Sequence, residues 1–370
     1  MVKKIINFSK KNIVMFIAML VAITSTVFVP FDKQYASYFD YRTLTCLFCT
    51  LAVVCAFTNI DFFYIVACKI VEKFKTTRKC ILSLVIITFI GSMLLANDMA
   101  LLTFLPLGFY VLSTTNKPKY MAFTFIMQNI AANLGGMLTP FGNPQNLYLF
   151  SKFNIPTIEF MQIMFLPFLL ATILIIVCCL CVKSEQMTVT GQKKPLNTKR
   201  TIIYSVLFIF AVSVVFRIIP YQIGLIVIPV SLFFLDKNAL KKVDYPLLLT
   251  FVFFFVFAGN ISRIPQISEF LSQLLQKDTL FYSTLSCQFI SNVPSAILLS
   301  QFTNNYPALL VGVNIGGTGT LIASLASLIT FREYTKHNKG KTGKYILLFS
   351  AFNFGFLIVM FLFSKLILNL

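Results

Sequence analysis

The sequence predicts an all-α polytopic membrane protein made of two inverted-topology repeats, each holding a re-entrant hairpin and a broken transmembrane helix. Three observations carry this expectation. Apolar runs of crossing length recur from end to end, one set of motifs occurs twice in the same order, and the basic residues fall in alternate loops.

The first observation sets the solvent. With 58% hydrophobic and 12% charged residues over 370 positions, the chain is far more apolar than a soluble domain. The runs span 13–29, 43–60, 80–96 with 99–114, 119–150, 157–182, 201–218, 221–236, 244–260, 279–291 with 294–303, 307–331 and 345–368. Most match the ~20 residues that cross about 30 Å of hydrocarbon. The first follows four lysines as a secretory leader would, but it ends Val29-Pro30-Phe31 without small-residue cleavage chemistry, so it reads as a transmembrane helix.

The second observation gives the repeat. Asn133, Gly135, Gly136, Thr139, Leu147 and Phe150 recur without a gap as Asn314, Gly316, Gly317, Thr320, Leu328 and Phe331. Upstream of each copy an apolar run is broken at an asparagine, at Ala96-Asn97-Asp98 and at Ser291-Asn292-Val293-Pro294. Before those breaks, spans end at Phe57-Thr58-Asn59 and Ala258-Gly259-Asn260 and open amphipathic stretches. The same order of parts twice marks an internal duplication.

The third observation orients it. With the N-terminus cytoplasmic and each asparagine break taken as a hairpin tip, the loops 1–12, 69–79, 115–120, 183–200, 237–243 and 332–344 share one side and hold 24 of the 31 Lys and Arg residues. That bias sets topology. The first hairpin then enters from the cytoplasm, the second from outside, and the C-terminus lies outside. The expected units are an N-terminal helix and outer loop (1–42), a first repeat (43–182, hairpin 80–114, broken helix 119–150), a linker with connecting helices (183–243, jointed near Gly191 and Pro195), and a second repeat (244–370, hairpin 279–303, broken helix 307–331).

Other classes fit poorly. A net charge of +19 would suggest nucleic acid in a soluble protein, but these basic residues punctuate apolar runs, so no nucleic-acid partner is expected. Cys46 and Cys49, and the Cys178, Cys179 and Cys181 group, lie in or at the end of apolar helices without a histidine and read as packing residues. His337 reads as solvated in a basic loop. A membrane-embedded enzyme would need paired catalytic groups or metal ligands, and a passive channel would not need hairpins in inverted repeats.

Backbone left unwound in lipid survives only where protein buries it or where it lines a cavity. The tips and the glycine-rich regions 133–146 and 314–324 are therefore expected to converge. Helices starting there direct N–H groups and positive dipole ends inward, which suits a carboxylate or oxyanion. Asn97, Thr139, Gly142, Asn143, Pro144, Asn146, Ser291, Asn292, Pro294, Thr318 and Thr320 are the expected substrate-binding residues. Asp98, the one acidic residue placed at midplane, should bind a coupling cation or carry a proton, with Asn133, Gly135, Gly136, Asn314, Gly316 and Gly317 supplying further groups. No cofactor is expected beyond Na+ or H+ as coupling ion.

These segments resemble the ion transporter superfamily, which includes divalent anion:sodium symporters, citrate transporters, arsenite exporters and NhaD-type antiporters. Thr139 to Leu147 is similar to its TP-x-G-x-PPN-L segment, with Gln145 in place of a proline. Both tips and Asn314 to Leu321 resemble its other motifs. In the sodium-coupled dicarboxylate branch the tips read Ser-Asn-Thr; Asp98 and Val293 stand at the Thr positions here, closer to the arsenite and antiporter branches. The resemblance implies a small bacterial plasma-membrane carrier, a small inorganic or carboxylate ion as substrate, alternating access and a homodimer. A cation/proton antiporter using Asp98 is the alternative.

Overall fold

The computed structural model describes residues 12–187 and 195–368. The N-terminal lysines and Gly191 of the linker lie outside the described residues. Helix α1 (Ile13–Phe28) packs along α12 (Tyr245–Ser262), where Asn260 Nδ2 donates to Ser25 Oγ at 2.9 Å. Six of the described helices are long and apolar enough to cross a membrane, and the protein is an all-α polytopic membrane protein.

The parts of the first half are α2 (Tyr41–Asn59), the short α3 (Phe62–Val71), the pair α4 (Thr77–Leu95) and α5 (Asn97–Thr114), then α6 (Met121–Gly135), α7 (Pro144–Lys152) and α8 (Thr157–Leu180). Connecting helices α9 (Thr198–Val215), α10 (Tyr221–Leu235) and α11 (Lys237–Lys241) follow. The second half repeats the order with α12, α13 (Pro265–Ile290), α14 (Asn292–Leu299), α15 (Tyr306–Ile315), α16 (Leu325–His337) and α17 (Thr342–Ile367). Helix α13 is two helices: Asp278 leaves helical geometry (φ −162°, ψ 90°) and its carboxylate accepts the Phe281 N–H at 2.8 Å. The amphipathic stretch thus ends where the hairpin arm starts, as α3 does ahead of α4.

Helix α8 shows that the hairpins enter from opposite ends. Just past its C-terminal end, the Val182 carbonyl accepts from Arg78 Nε at the base of the first hairpin, 2.7 Å away. At its N-terminal end Glu159 accepts from Tyr306, just beyond the base of the second. Charge counting had required this inversion.

Packing sorts the helices by depth. The apolar stretch of α2 is 72% buried, while those of α8 and α17 are 28% buried, so the last two present apolar side chains to lipid. Between helices in lipid, close van der Waals fit matters more than hydrophobic burial. Glycine supplies that fit at matched places. A methyl on Gly135 would lie 2.6 Å from Ser92 Oγ, and one on Gly316 would lie 2.8 Å from Cys287 Sγ. Ser92 and Cys287 each stand five residues before a tip asparagine, so equivalent glycines press the broken helices onto equivalent hairpin arms.

The linker is tied down where it leaves α8. The Thr77 N–H donates to the Glu185 carbonyl at 2.8 Å and the Met187 N–H to the Lys75 carbonyl at 3.0 Å. The Glu185 carboxylate pairs with Lys117 at 2.5 Å and Lys119 at 2.6 Å and accepts from Tyr120 at 2.8 Å. The hydrogen bonds from Lys117, Lys119 and Tyr120 pull the Glu185 carboxyl from 4.5 down to about 2. A carboxyl depressed on folding contributes stability above its ordinary value and loses it as pH falls toward the folded value. Acid melting of the purified protein between pH 4.5 and about 2 should therefore be less steep in Glu185→Gln than in wild type. Parallel acid limbs would show that the pairing contributes nothing.

Candidate functional site

Each tip is built the same way. Ala96 (φ 65°, ψ 149°) and Ser291 (φ 74°, ψ 159°) adopt left-handed backbone geometry that glycine favours. Such residues cost about 1–3 kcal/mol each and persist where surroundings fix them. The following asparagine opens a helix, and its Oδ1 accepts the next N–H: Asp98 N at 3.0 Å from Asn97, Val293 N at 2.9 Å from Asn292. Asn97 Nδ2 then reaches Asn133 Oδ1 at 3.3 Å. The Asn292 N–H donates to the Ala323 carbonyl at 2.9 Å, which also accepts from Ser291 Oγ at 3.3 Å. Both tips are thus bonded to the broken helix of their own half.

The broken helices unwind over a shorter stretch than expected. Asn133 and Asn314 lie in the last turns of α6 and α15; a 3-10 turn at Gly136–Leu138 and irregular chain at 139–143 follow the first, and irregular chain at 316–324 follows the second. The helical ladder of α15 holds up to the glycine pair, because the Gly316 N–H still donates to the Gly312 carbonyl at 2.8 Å. Thr139 is extended and starts no helix; α7 starts at Pro144, with Asn143 Oδ1 accepting the Asn146 N–H at 2.9 Å. In the second half Ser324 caps α16 through the Ser327 N–H at 3.2 Å.

Many of the expected ligands are already committed to protein partners. Thr139 Oγ1 donates to the Met93 carbonyl and Thr320 Oγ1 to the Gln288 carbonyl, each at 3.0 Å. Met93 and Gln288 both stand four residues before a tip asparagine, so the two threonines are equivalent tethers. Thr318 Oγ1 donates back to the Ile315 carbonyl at 2.6 Å. Asn146 Nδ2 fills the carbonyls of Gly136, Met137 and Thr139 at 3.0–3.3 Å. Gln288 Nε2 does the same for Gly316 at 2.9 Å and Thr318 at 3.1 Å. Carbonyls near Gly136 and Gly316, read from sequence as open to a cation, thus face side-chain amides in this conformation. A methyl on Gly136 would lie 2.7 Å from the Gly142 carbonyl, so these two glycines let the unwound chain fold against itself.

Asn314 bonds the second half to the first. Asn314 Oδ1 accepts from Asn143 Nδ2 at 2.9 Å and Asn314 Nδ2 donates to Asn146 Oδ1 at 2.6 Å. The start of α7 is thereby fastened to the end of α15.

Beside this lock lies a cavity of about 380 Å³ lined from four helix starts: Asn97 and Asp98 of α5, Pro144 and Gln145 of α7, Asn292, Val293 and Pro294 of α14, and Leu325 of α16. Ser291 lines it too. Gly317 closes the gap behind the tips, since a methyl there would lie 3.0 Å from Asn292 Nδ2 and 3.6 Å from Asn133 Oδ1. Asp98 Oδ1, Asn133 Nδ2 and Gln145 Oε1 are buried without a partner. Unpaired buried polar atoms are rare and costly, and two of them, on the cavity-lining Asp98 and Gln145, beside four positive dipole ends form a ready place for ions.

Sequence reading missed several of these groups. Gln288 and Gln145 are amides within apolar helices, a signal that could have marked them. Asp98 is also less isolated than expected. Asp244, Arg332, Glu333 and Lys336 also line the same cavity, brought there by α12 and by α16. Helix α16 runs past its apolar stretch, so His337 is not free in a loop; it stacks on Phe109 with ring centroids 3.7 Å apart and meets Glu333 at 3.0 Å.

A family model for citrate transporters matches residues 5–311. The chain belongs to the citrate transporter family. Two relatives of this family member cover nearly its whole length. An uncharacterized transporter of Methanocaldococcus jannaschii is 34% identical over 327 residues, 88% of this chain and 90% of that protein. The inner membrane protein YbiR of Escherichia coli is 28% identical over 320 residues, 85% of each. As a citrate transporter family member the protein is a multi-pass membrane transporter.

Proposed function

We propose that the protein is a secondary carrier for a small carboxylate or oxyanion, coupled to Na+ or H+, working by alternating access in the bacterial plasma membrane. The observation that carries this reading is the cavity where four helix starts meet a carboxylate oxygen without a protein partner. Asn97, Ser291, Asn292 and the amides of the α7 start hold the anion; Asp98 with Asn133 takes the cation or proton. Arg332 and Lys336, which open the basic stretch 332–344 and line the cavity, support a cytoplasm-facing state, closed on the other side by the Asn143–Asn314–Asn146 lock and by Tyr148 against Ser300. Alternating access then requires these contacts to open in turn.

Thermal stabilisation of the purified protein by citrate, succinate, sulfate, arsenite or Na+ tests the reading, because a ligand that binds only the folded state raises apparent stability. One anion should stabilise the wild type, and that gain should vanish in Asn97→Ala and Asn292→Ala. Undiminished stabilisation and flux in both variants would end the assignment. The unpartnered Asp98 oxygen also favours a second reading, Na+/H+ exchange without an anion. Proteoliposomes that respond to Na+ with pH changes regardless of the anion present would select it.

A further inference from the structure

At the opposite end of the bundle lies a second cavity, of about 570 Å³, whose charged lining residues are Asp40, Arg42 and Lys152. Its two cations are unusually unoccupied. Among the described residues neither Arg42 nor Lys152 joins an ion pair. Arg42 Nε is buried with no hydrogen-bond partner, and Lys152 Nζ reaches only the neutral Gln301 Oε1 at 3.3 Å. Asp40 forms no ion pair with either: its carboxylate caps α2, accepting the Thr43 N–H at 2.9 Å and the Thr43 hydroxyl at 2.7 Å, and its single charge, which acts on Lys152 through space, is outnumbered by the two cations. Arg217 adds a third positive charge nearby, held on the Phe150 and Ile155 carbonyls at 2.6 and 3.2 Å.

The cavity is connected to the candidate site by two short helices. Helix α7 starts at the site and ends at Lys152, a rise of about 13 Å. Helix α14 starts at the tip asparagine and ends beside Ser300, whose hydroxyl lies 2.8 Å from that of Tyr148, a residue that lines this outer cavity. A guanidinium fork and an ammonium facing one polar space match the oxygens of a carboxylate or oxyanion.

We propose that this cavity is a capture site for a small free carboxylate or oxyanion, held by Arg42 and Lys152, from which the central cavity is loaded. The loading role rests on the carrier reading; occupancy of the site does not.

A membrane-impermeant amine-acylating reagent, applied to proteoliposomes and read by mass spectrometry, reports on Lys152 directly, with the exposed Lys33 as internal control. Citrate, succinate or sulfate at about ten times its dissociation constant should slow acylation of Lys152 about tenfold and leave Lys33 unchanged. Arg42→Gln should abolish the protection, and Arg42→Lys should retain part of it. Protection by none of the three anions in wild-type protein would overturn the proposal. So would slower acylation in vesicles containing phosphatidylglycerol than in pure phosphatidylcholine with no further effect of the anions, since the occupant would then be a lipid phosphate. Protection that persists where flux is absent supports the site and counts only against the carrier reading.

Discussion

Asp98→Asn is expected to cut gradient-driven accumulation about 100-fold, or about 2.8 kcal/mol at 1.4 kcal/mol per factor of ten, while substrate exchange without a gradient survives. Asparagine keeps the shape of the side chain at the start of α5 and can still cap the helix. It cannot carry a proton or neutralise a cation, and the buried Oδ1 has no protein partner that would take over. The pH dependence of accumulation should flatten at the same time. Accumulation that keeps the wild-type magnitude and pH profile would assign Asp98 to helix capping. Loss of all transport, exchange included, would favour the antiporter reading, in which this carboxylate does the whole exchange.

The second large effect is structural. Asn314→Leu removes three hydrogen bonds, to Asn143, Asn146 and the Leu310 carbonyl. Leucine fills the space but leaves Asn143 Nδ2 and Asn146 Oδ1 buried with nothing to bond, at about 1–3 kcal/mol each. The expected loss is about 2–6 kcal/mol on that basis, with the melting temperature lower by several degrees. The buried thiols of Cys46, Cys49 and Cys287 give the readout, since a thiol-reactive dye labels them as the bundle opens. A melting curve superimposable on the wild type would show that the lock does not hold the halves together. Flux should fall as well, because Asn143 and Asn146 shape the first turn of α7 at the cavity.

Much of this architecture was legible because lipid leaves few alternatives. A span must be apolar and helical, so Ile13–Phe28 and Thr342–Ile367 announce themselves. Breaks were legible for the same reason: Asn97 and Asn292 interrupt apolar runs where only a buried purpose tolerates them. The inversion followed from where Lys and Arg fall. What sequence hid was pairing across distance. Nothing local to Asn146 says that its amide turns back onto the Gly136 carbonyl, and nothing near Gln288 says that it does the same for Gly316. Thr139 beside Pro140 looks like a helix start; only its bond to Met93, 46 residues away, shows a tether. The outer cavity was similarly out of reach, since Arg42 and Lys152 are 110 positions apart and read separately as flanking charges.

A final consequence follows from Ala96 and Ser291. Glycine would relax both corners, but it would also let the chain wander when no ion is bound. A Cβ there, held by the contacts around it, leaves the backbone few other poses, so the entropy of arranging the corner is settled during folding and not charged to each arriving ion. On the proposed carrier reading, turnover then begins from a rigid doorway, and affinity at the tips is governed by the doorway's fit to its guest.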